Sequence, residues 1–149
     1  MSDVKIDMAT REVEFVLTDG TELKGDVYLS MHSTTGAGSQ KIDELLSEGD
    51  QFLPFRTPDG FLLVNSSRVM MARVGLEENV GELTRMGEKY RVKMVTTLGT
   101  AIEAEIFVNL PKDYQRVKDY LNHQLKYLTC FTGEHVLYVN REYILLVED

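Results

Sequence analysis

The sequence predicts a mostly β chain with some helix (α+β), arranged as two tandem five-stranded small barrels, each with a helix between its second and third strands. Three observations lead there. Residues 40–72 align without a gap on residues 115–147 at an offset of 75, with seven of 33 columns identical, among them Leu53/Leu128, Val64/Val139 and Asn65/Asn140. Upstream, residues 14–29 align on residues 93–108 at an offset of 79, and the difference of four falls in one loop. Both copies also run through the same succession of alternating apolar strands, a short helical stretch and polar turns. A repeat at this period means two copies of one small domain. The first is placed at residues 11–75, a linker at 76–88 and the second at 89–149.

Each element has a local reason. Val13, Phe15 and Leu17 alternate with polar residues, Thr18-Asp19-Gly20-Thr21 turns the chain, and Leu23, Gly25, Val27 and Leu29 resume the alternation. That is a β-hairpin with one buried face. The second copy keeps the phase with Val92, Met94 and Thr96, then Ile102, Ala104, Ile106 and Val108. Gly25 and Ala104 share a column, which marks a position where a large side chain meets another backbone. A helix follows, with Ile42, Leu45 and Leu46 on one face and Gly49 at its stop. Its counterpart has Asn109 as a cap, Pro111 early in the helix, and Tyr114, Val117, Tyr120 and Leu121 as the apolar stripe. Third strands are expected over residues 51–55 and 126–131, fourth strands over 61–64 and 136–139, and fifth strands over 69–74 and 143–147. Five short strands of this kind close into a barrel because closure removes exposed edges.

The fifth strands are apolar on both faces. Val69, Met71, Ile144 and Leu146 lie on one side, and Met70, Ala72, Val74, Leu145 and Val147 on the other. A strand buried on both sides needs a partner beyond its own core. These strands are therefore expected to meet across the inter-repeat boundary or across a subunit interface. Units of about 60 residues stand near the lower limit for a self-sufficient core. That adds to the expectation of mutual support and of a possible homo-oligomer.

Composition narrows the function classes. With 43% apolar and 27% charged residues the chain reads as soluble and globular. No apolar run approaches the roughly 20 residues that span a bilayer, so no membrane partner is expected. The opening Met1-Ser2-Asp3-Val4-Lys5 has no basic and apolar leader pattern, and the single Cys130 forms no internal disulfide, which together point to a cytoplasmic protein. The net charge is −8, divided as −5 over residues 1–75 (7 basic, 12 acidic) and −3 over 76–149 (9 basic, 12 acidic). Nucleic-acid binders carry a positive footprint, so this balance disfavours, without removing, an RNA-binding role.

The hairpin Val13-Glu14-Phe15-Val16-Leu17-Thr18-Asp19-Gly20-Thr21-Glu22-Leu23-Lys24-Gly25-Asp26-Val27 resembles the first motif of the Sm-like, or SH3-like, small barrels. Leu63-Val64-Asn65-Ser66-Ser67-Arg68-Val69 and Tyr138-Val139-Asn140-Arg141-Glu142-Tyr143-Ile144 are similar to the second. The chain departs from that family in having a helix where the base-holding Asp/Asn segment stands. It also carries Ser66-Ser67 and Arg141-Glu142 in place of the usual basic or glycine pair. In layout it also resembles a family of uncharacterised bacterial proteins, most closely through Asp119-Tyr120-Leu121-Asn122, Tyr127-Leu128 and the Val139-Asn140 ending. No activity comes with that family.

Candidate interaction residues cluster at the corners between fourth and fifth strands and on the fifth strands themselves: Asn65, Arg68 and Met70 in the first copy, and Asn140, Arg141, Tyr143 and Leu145 in the second. The resemblance makes the Asn65 and Asn140 corners a binding groove. The plainer role for such Asn side chains is to fix a turn by bonding nearby backbone. The Ser30–Ser39 loop lacks the Gly-Lys-Ser/Thr ending of a phosphate loop and reads as an insertion. His32, His123 and His135 are too scattered for a metal site, and no Ser/His/Asp set is credible. No catalytic residue, metal or cofactor is therefore expected. The function this implies is a non-enzymatic protein-interaction or scaffold module, with an Sm-like RNA binder as the alternative and an enzyme with an inter-repeat pocket behind both.

Overall fold

A computed structural model describes residues 8–30, 40–78, 85–123 and 125–149. Ten strands form one antiparallel sheet. In chain order they are β1 (Met8–Leu17), β2 (Glu22–Ser30), β3 (Phe52–Thr57), β4 (Gly60–Asn65), β5 (Val69–Gly75), β6 (Glu88–Thr96), β7 (Ala101–Val108), β8 (Tyr127–Phe131), β9 (His135–Asn140) and β10 (Ile144–Glu148). Two short helices, α1 (Ile42–Glu48) and α2 (Val117–Leu121), stand between β2 and β3 and between β7 and β8. Across the sheet the order is β10-β6-β7-β8-β9-β5-β1-β2-β3-β4.

This order corrects the expected architecture: the chain is one open sheet and not two closed barrels. Within each half the fifth strand pairs with the first, β5 on β1 and β10 on β6. Closing a barrel would need the fourth strand to complete the ladder inside its own half. The second side of β5 is instead taken by β9 of the other half, with Met71 opposite Val139, Ala72 opposite Tyr138 and Val74 opposite Val136. The backbone demand of β5 is met between the repeats, and β4 and β10 are left as the two ends. Both sides of β5 do pack on residues of the other half, but the faces differ from simple alternation: Val69, Ala72 and Val74 enter one core and Met70 and Met71 the other, because the register against β1 shifts between Val16 and Leu17.

The hairpins form as their turns dictate. Gly20 takes φ 93°, the Leu17 N–H donates to the Thr21 carbonyl at 2.8 Å, and Asp19 Oδ1 accepts from the Thr21 N–H at 2.9 Å. At Gly25 a Cβ would lie 2.1 Å from the Arg56 carbonyl oxygen and 2.8 Å from the Phe55 ring, so the close approach of β3 requires the missing side chain. In the second half β8 meets β7 at the single pair Glu105 and Phe131, and the matching column accommodates Ala104.

The first helix runs as expected, with Ile42, Leu45 and Leu46 buried and its cap at Gly49, but the second is shorter than expected. Residues Lys112–Tyr114 form a 3-10 turn, the backbone is extended at Arg116 (φ −115°, ψ 160°), and only Val117–Leu121 is α-helical. Asp119 accepts from the Arg116 N–H at 3.2 Å and so starts a new helix after the break. Tyr114, placed by the sequence on the apolar stripe, is exposed as a result.

Two cores lie against the sheet. The first gathers Val13, Phe15, Val27, Leu29, Ile42, Leu46, Leu53, Phe55 and Val64, and also takes in Tyr127, Phe131, Val136 and Tyr138 from the second half. The second gathers Val92, Met94, Ile106, Leu128, Cys130 and Val139 together with Val16, Met70 and Met71 from the first half. Each fully buried Leu, Phe or Val contributes about 1.5–3 kcal/mol. Each half thus borrows part of its core from the other.

Candidate functional site

The corners singled out in the sequence are turn devices. Asn65 Oδ1 accepts from the Ser67 N–H at 3.1 Å and the Ser67 hydroxyl at 2.7 Å, capping the 3-10 turn Ser66–Arg68. Asn140 Oδ1 accepts from the Glu142 N–H at 3.1 Å and caps the equivalent turn Arg141–Tyr143. Both side chains spend their acceptor on backbone, and Asn140 is buried. Arg141 donates to the carbonyls of Leu121 (3.3 Å) and His123, tying the end of α2 to the corner. Met70 is buried in the second core, whereas Arg68 and Leu145 are exposed.

The two corners are also brought into contact. The Tyr143 hydroxyl donates to the Ser67 carbonyl at 3.2 Å, and the Tyr127 hydroxyl donates to the Val69 carbonyl at 3.2 Å. Both bonds cross the repeat boundary beside the β5–β9 ladder. Burial, with Tyr143 and Glu142 adding to it, pushes the Tyr127 hydroxyl up to about 12, so it stays a donor.

A buried polar group under the same joint was not named by the sequence. Glu78 lies 2.7 Å from Arg11 with its side chain almost fully enclosed, and its Oε2 has no hydrogen-bond partner among the described residues. Desolvation, opposed by Arg11 and reinforced by Asp43 and Glu77, raises the carboxyl to about 7. Asp43 Oδ1 on α1 and the Tyr138 hydroxyl on β9 are likewise buried without partners among the described residues. The sequence held one signal for this group: Arg11 shares the alternation phase of Val13 and Phe15, which places a cation on a buried face.

The remaining surface offers little chemistry. A cleft of about 250 Å³ on the opposite face of the β1–β5–β9 seam is lined by Glu12, Glu14, Lys24, Arg73, Glu134 and His135, with Glu14 and Arg73 ion-paired. Another of about 320 Å³ lies among Phe107, Leu110, Tyr120, His123 and Leu125. Among the described residues no three His, Cys, Asp or Glu side chains are grouped to hold a metal. Cys130 is buried and its thiol is pushed up to about 12 by desolvation, which keeps it unreactive. His32 and the phosphate-loop reading of the Ser30–Ser39 segment lie outside the described residues, apart from Ser30. No helix among the described residues is long and apolar enough to cross a membrane.

Large exposed apolar side chains concentrate at the ends of the sheet: Phe61, Leu62 and Leu63 on β4, with Phe52 on the adjoining β3, and Leu145 and Leu146 on β10. Sequence periodicity did not reveal them, because it marks a strand as apolar without saying whether another strand will cover it. Comparison with known proteins adds nothing to this picture: no family model, no curated protein and no solved structure matches the chain.

Proposed function

We propose that the chain is a non-enzymatic protein-interaction or scaffold module that engages its partners along the open edges of its sheet. The observation that carries this reading is β4. Its sequence Gly-Phe-Leu-Leu-Val-Asn has no charge and no proline, it stands at the end of the ladder, and three of its large apolar side chains are exposed. Exposed edges are ordinarily blunted by charges, proline or bulges, because bare N–H and C=O groups template pairing with another strand. An unprotected edge of this composition suits strand addition, in which main-chain bonds supply affinity and side chains supply choice. A cytoplasmic setting goes with this reading through the single, buried, unpaired cysteine.

The test is affinity capture from the native host under mild conditions, with the wild-type chain compared with a Phe61→Glu/Leu63→Glu chain. Protein retained by the first and lost from the second supports edge binding. Equal retention by both chains, or none by either, overturns it.

A further inference from the structure

We propose that the outer face of the β3–β4 hairpin is a self-association surface, on which a second copy of this chain seats face to face about a two-fold axis. Side chains make the contact and the main-chain edge of β4 takes no part, so the claim goes beyond edge binding and does not rest on it.

Alternation along an antiparallel strand ordinarily gives one apolar and one polar face. On β3 and β4 the inward residues Leu53, Phe55 and Val64 are buried, as that rule requires. The outward face breaks it. Pro54 stands opposite Leu63 and Arg56 opposite Phe61, with Phe52 at the start of β3 in the same alternation phase. Phe52 is 54% exposed, Phe61 67% and Leu63 70%. The one charge among them, the Arg56 guanidinium, lies over the Phe61 ring, 5.8 Å from its centroid. A contiguous exposed apolar patch of this kind marks a contact site.

The second half shows where this face has been changed. At the 75-residue offset the matching residues Tyr127, Phe131, Val136 and Tyr138 are all buried in the first core. The first-half stripe keeps an apolar middle and differs at its ends. Asp50 stands where the second half has Leu125, and Arg56 where it has Phe131. An anion thus bounds one end and a cation the other. Both are exposed, and neither is in an ion pair among the described residues.

Opposite charges at the two ends make the stripe complementary to its own reverse. A two-fold axis lying between the two sheets and crossing the strands at the Pro54–Leu63 row performs that reversal. β3 of one copy then runs antiparallel over β3 of the other, Leu63 meets its twin near the axis, and Arg56 of each copy meets Asp50 of the other. The same patch serves on both copies, so the assembly closes at two. Two aromatic rings of roughly 150–250 Å² each, more than half exposed, offer about 500 Å² per copy together with Leu63, Pro54 and Arg56. Two copies bury about 1,000 Å², the lower bound for a specific interface and well short of an obligate one. The expected strength is that of a reversible, micromolar dimer.

The test is solution mass by light scattering from about 1 μM to about 500 μM. Wild type is expected to climb from the monomer mass to twice that mass and no further. Phe52→Glu, which leaves β4 untouched, is expected to raise the dissociation constant at least about tenfold with an unchanged circular dichroism spectrum. Asp50→Lys sets cation against cation, and Arg56→Glu sets carboxylate against carboxylate, so each is expected as a folded monomer. An equimolar mixture of these two chains sets every cation against a carboxylate and is expected to return to the dimer mass. The double variant Asp50→Lys/Arg56→Glu is expected to dimerise alone.

A wild type that stays monomeric throughout, or grows past the dimer, overturns the inference. So does an unchanged dissociation constant in Phe52→Glu, or a mixture of the two charge variants that fails to combine. Edge binding is judged separately, by host capture. A monomeric wild type whose capture is lost in Phe61→Glu/Leu63→Glu overturns the dimer and leaves the edge reading; a dimer that captures nothing does the reverse.

Discussion

The Glu78 carboxyl makes the stability of this fold depend on pH in an unusual direction. Its Oε1 meets Arg11 at 2.7 Å, its Oε2 has no hydrogen-bond partner among the described residues, and its side chain is 2% exposed. Arg11 favours the ionised form. Burial opposes it more strongly, and Asp43 and Glu77 add negative charge nearby, so the carboxyl is raised from its ordinary 4.5 to about 7. A folded-state value above the unfolded one means that the native chain still holds a proton after the unfolded chain has released its own. Stability is then fully present below about pH 4.5, falls as pH rises toward about 7, and is flat beyond. A shift of this size sets a ceiling of about 3 kcal/mol at 1.36 kcal/mol per unit. Arg11 is a quarter exposed and its pull is part of the balance, so about 1–3 kcal/mol is the expected loss. Asp43 is raised as well, by burial first, and contributes with the same sign. Urea denaturation of wild type and Glu78→Gln from about pH 5 to about pH 8 separates the two groups, since only the wild-type chain titrates at Glu78. The wild-type stability minus that of the variant is expected to fall across that range. A difference that stays flat or rises would show that the ion pair with Arg11 governs the carboxyl and that its burial does not.

Three substitutions probe the fold elsewhere. The Tyr138 hydroxyl is buried without a partner among the described residues, which costs about 1–3 kcal/mol, so Tyr138→Phe is expected to raise the urea midpoint; a clear fall would reveal a partner for the hydroxyl. Gly25→Ala places a Cβ on the Arg56 carbonyl and is expected to cost about 1–3 kcal/mol by overpacking, measured by the same denaturation. Asn65→Ala and Asn140→Ala each remove a capping acceptor and are expected to cost about 1 kcal/mol, with hydrogen exchange accelerating at the Ser67 and Glu142 amides.

What the sequence made legible was local. The Gly20 turn, the Gly25 column and the two Asn corners each depend on residues within a few positions, and the structure places all of them as turn or packing devices. The break between Tyr114 and Val117 was missed because Pro111 and the apolar stripe outvoted the extended backbone at Arg116. Strand closure was missed for a different reason. Met70 and Leu145 occupy one column and are equally apolar, yet the first is covered by the other half of the chain and the second is not. The alternation pattern records that a face wants a cover; which strand supplies it is decided 60 residues or more away, as between β5 and β9. The Arg11–Glu78 pair, 67 residues apart, was hidden in the same way.

Counting edges explains why the sheet is open and why its two ends match. Two repeats present two fourth-strand sides and two fifth-strand sides, and the β5–β9 ladder uses one of each. Had each half closed on itself, β5 would have met β4, and no ladder would have joined the halves. By joining them, the chain leaves one side of each kind, on β4 and on β10, without a neighbouring strand among the described residues. The apolar side chains Phe61 and Leu63 on β4 and Leu145 and Leu146 on β10 share alignment columns with Val136, Tyr138, Met70 and Met71, which are buried at the β5–β9 joint, so the repeat preserves a pattern whose cover only one of its two copies receives.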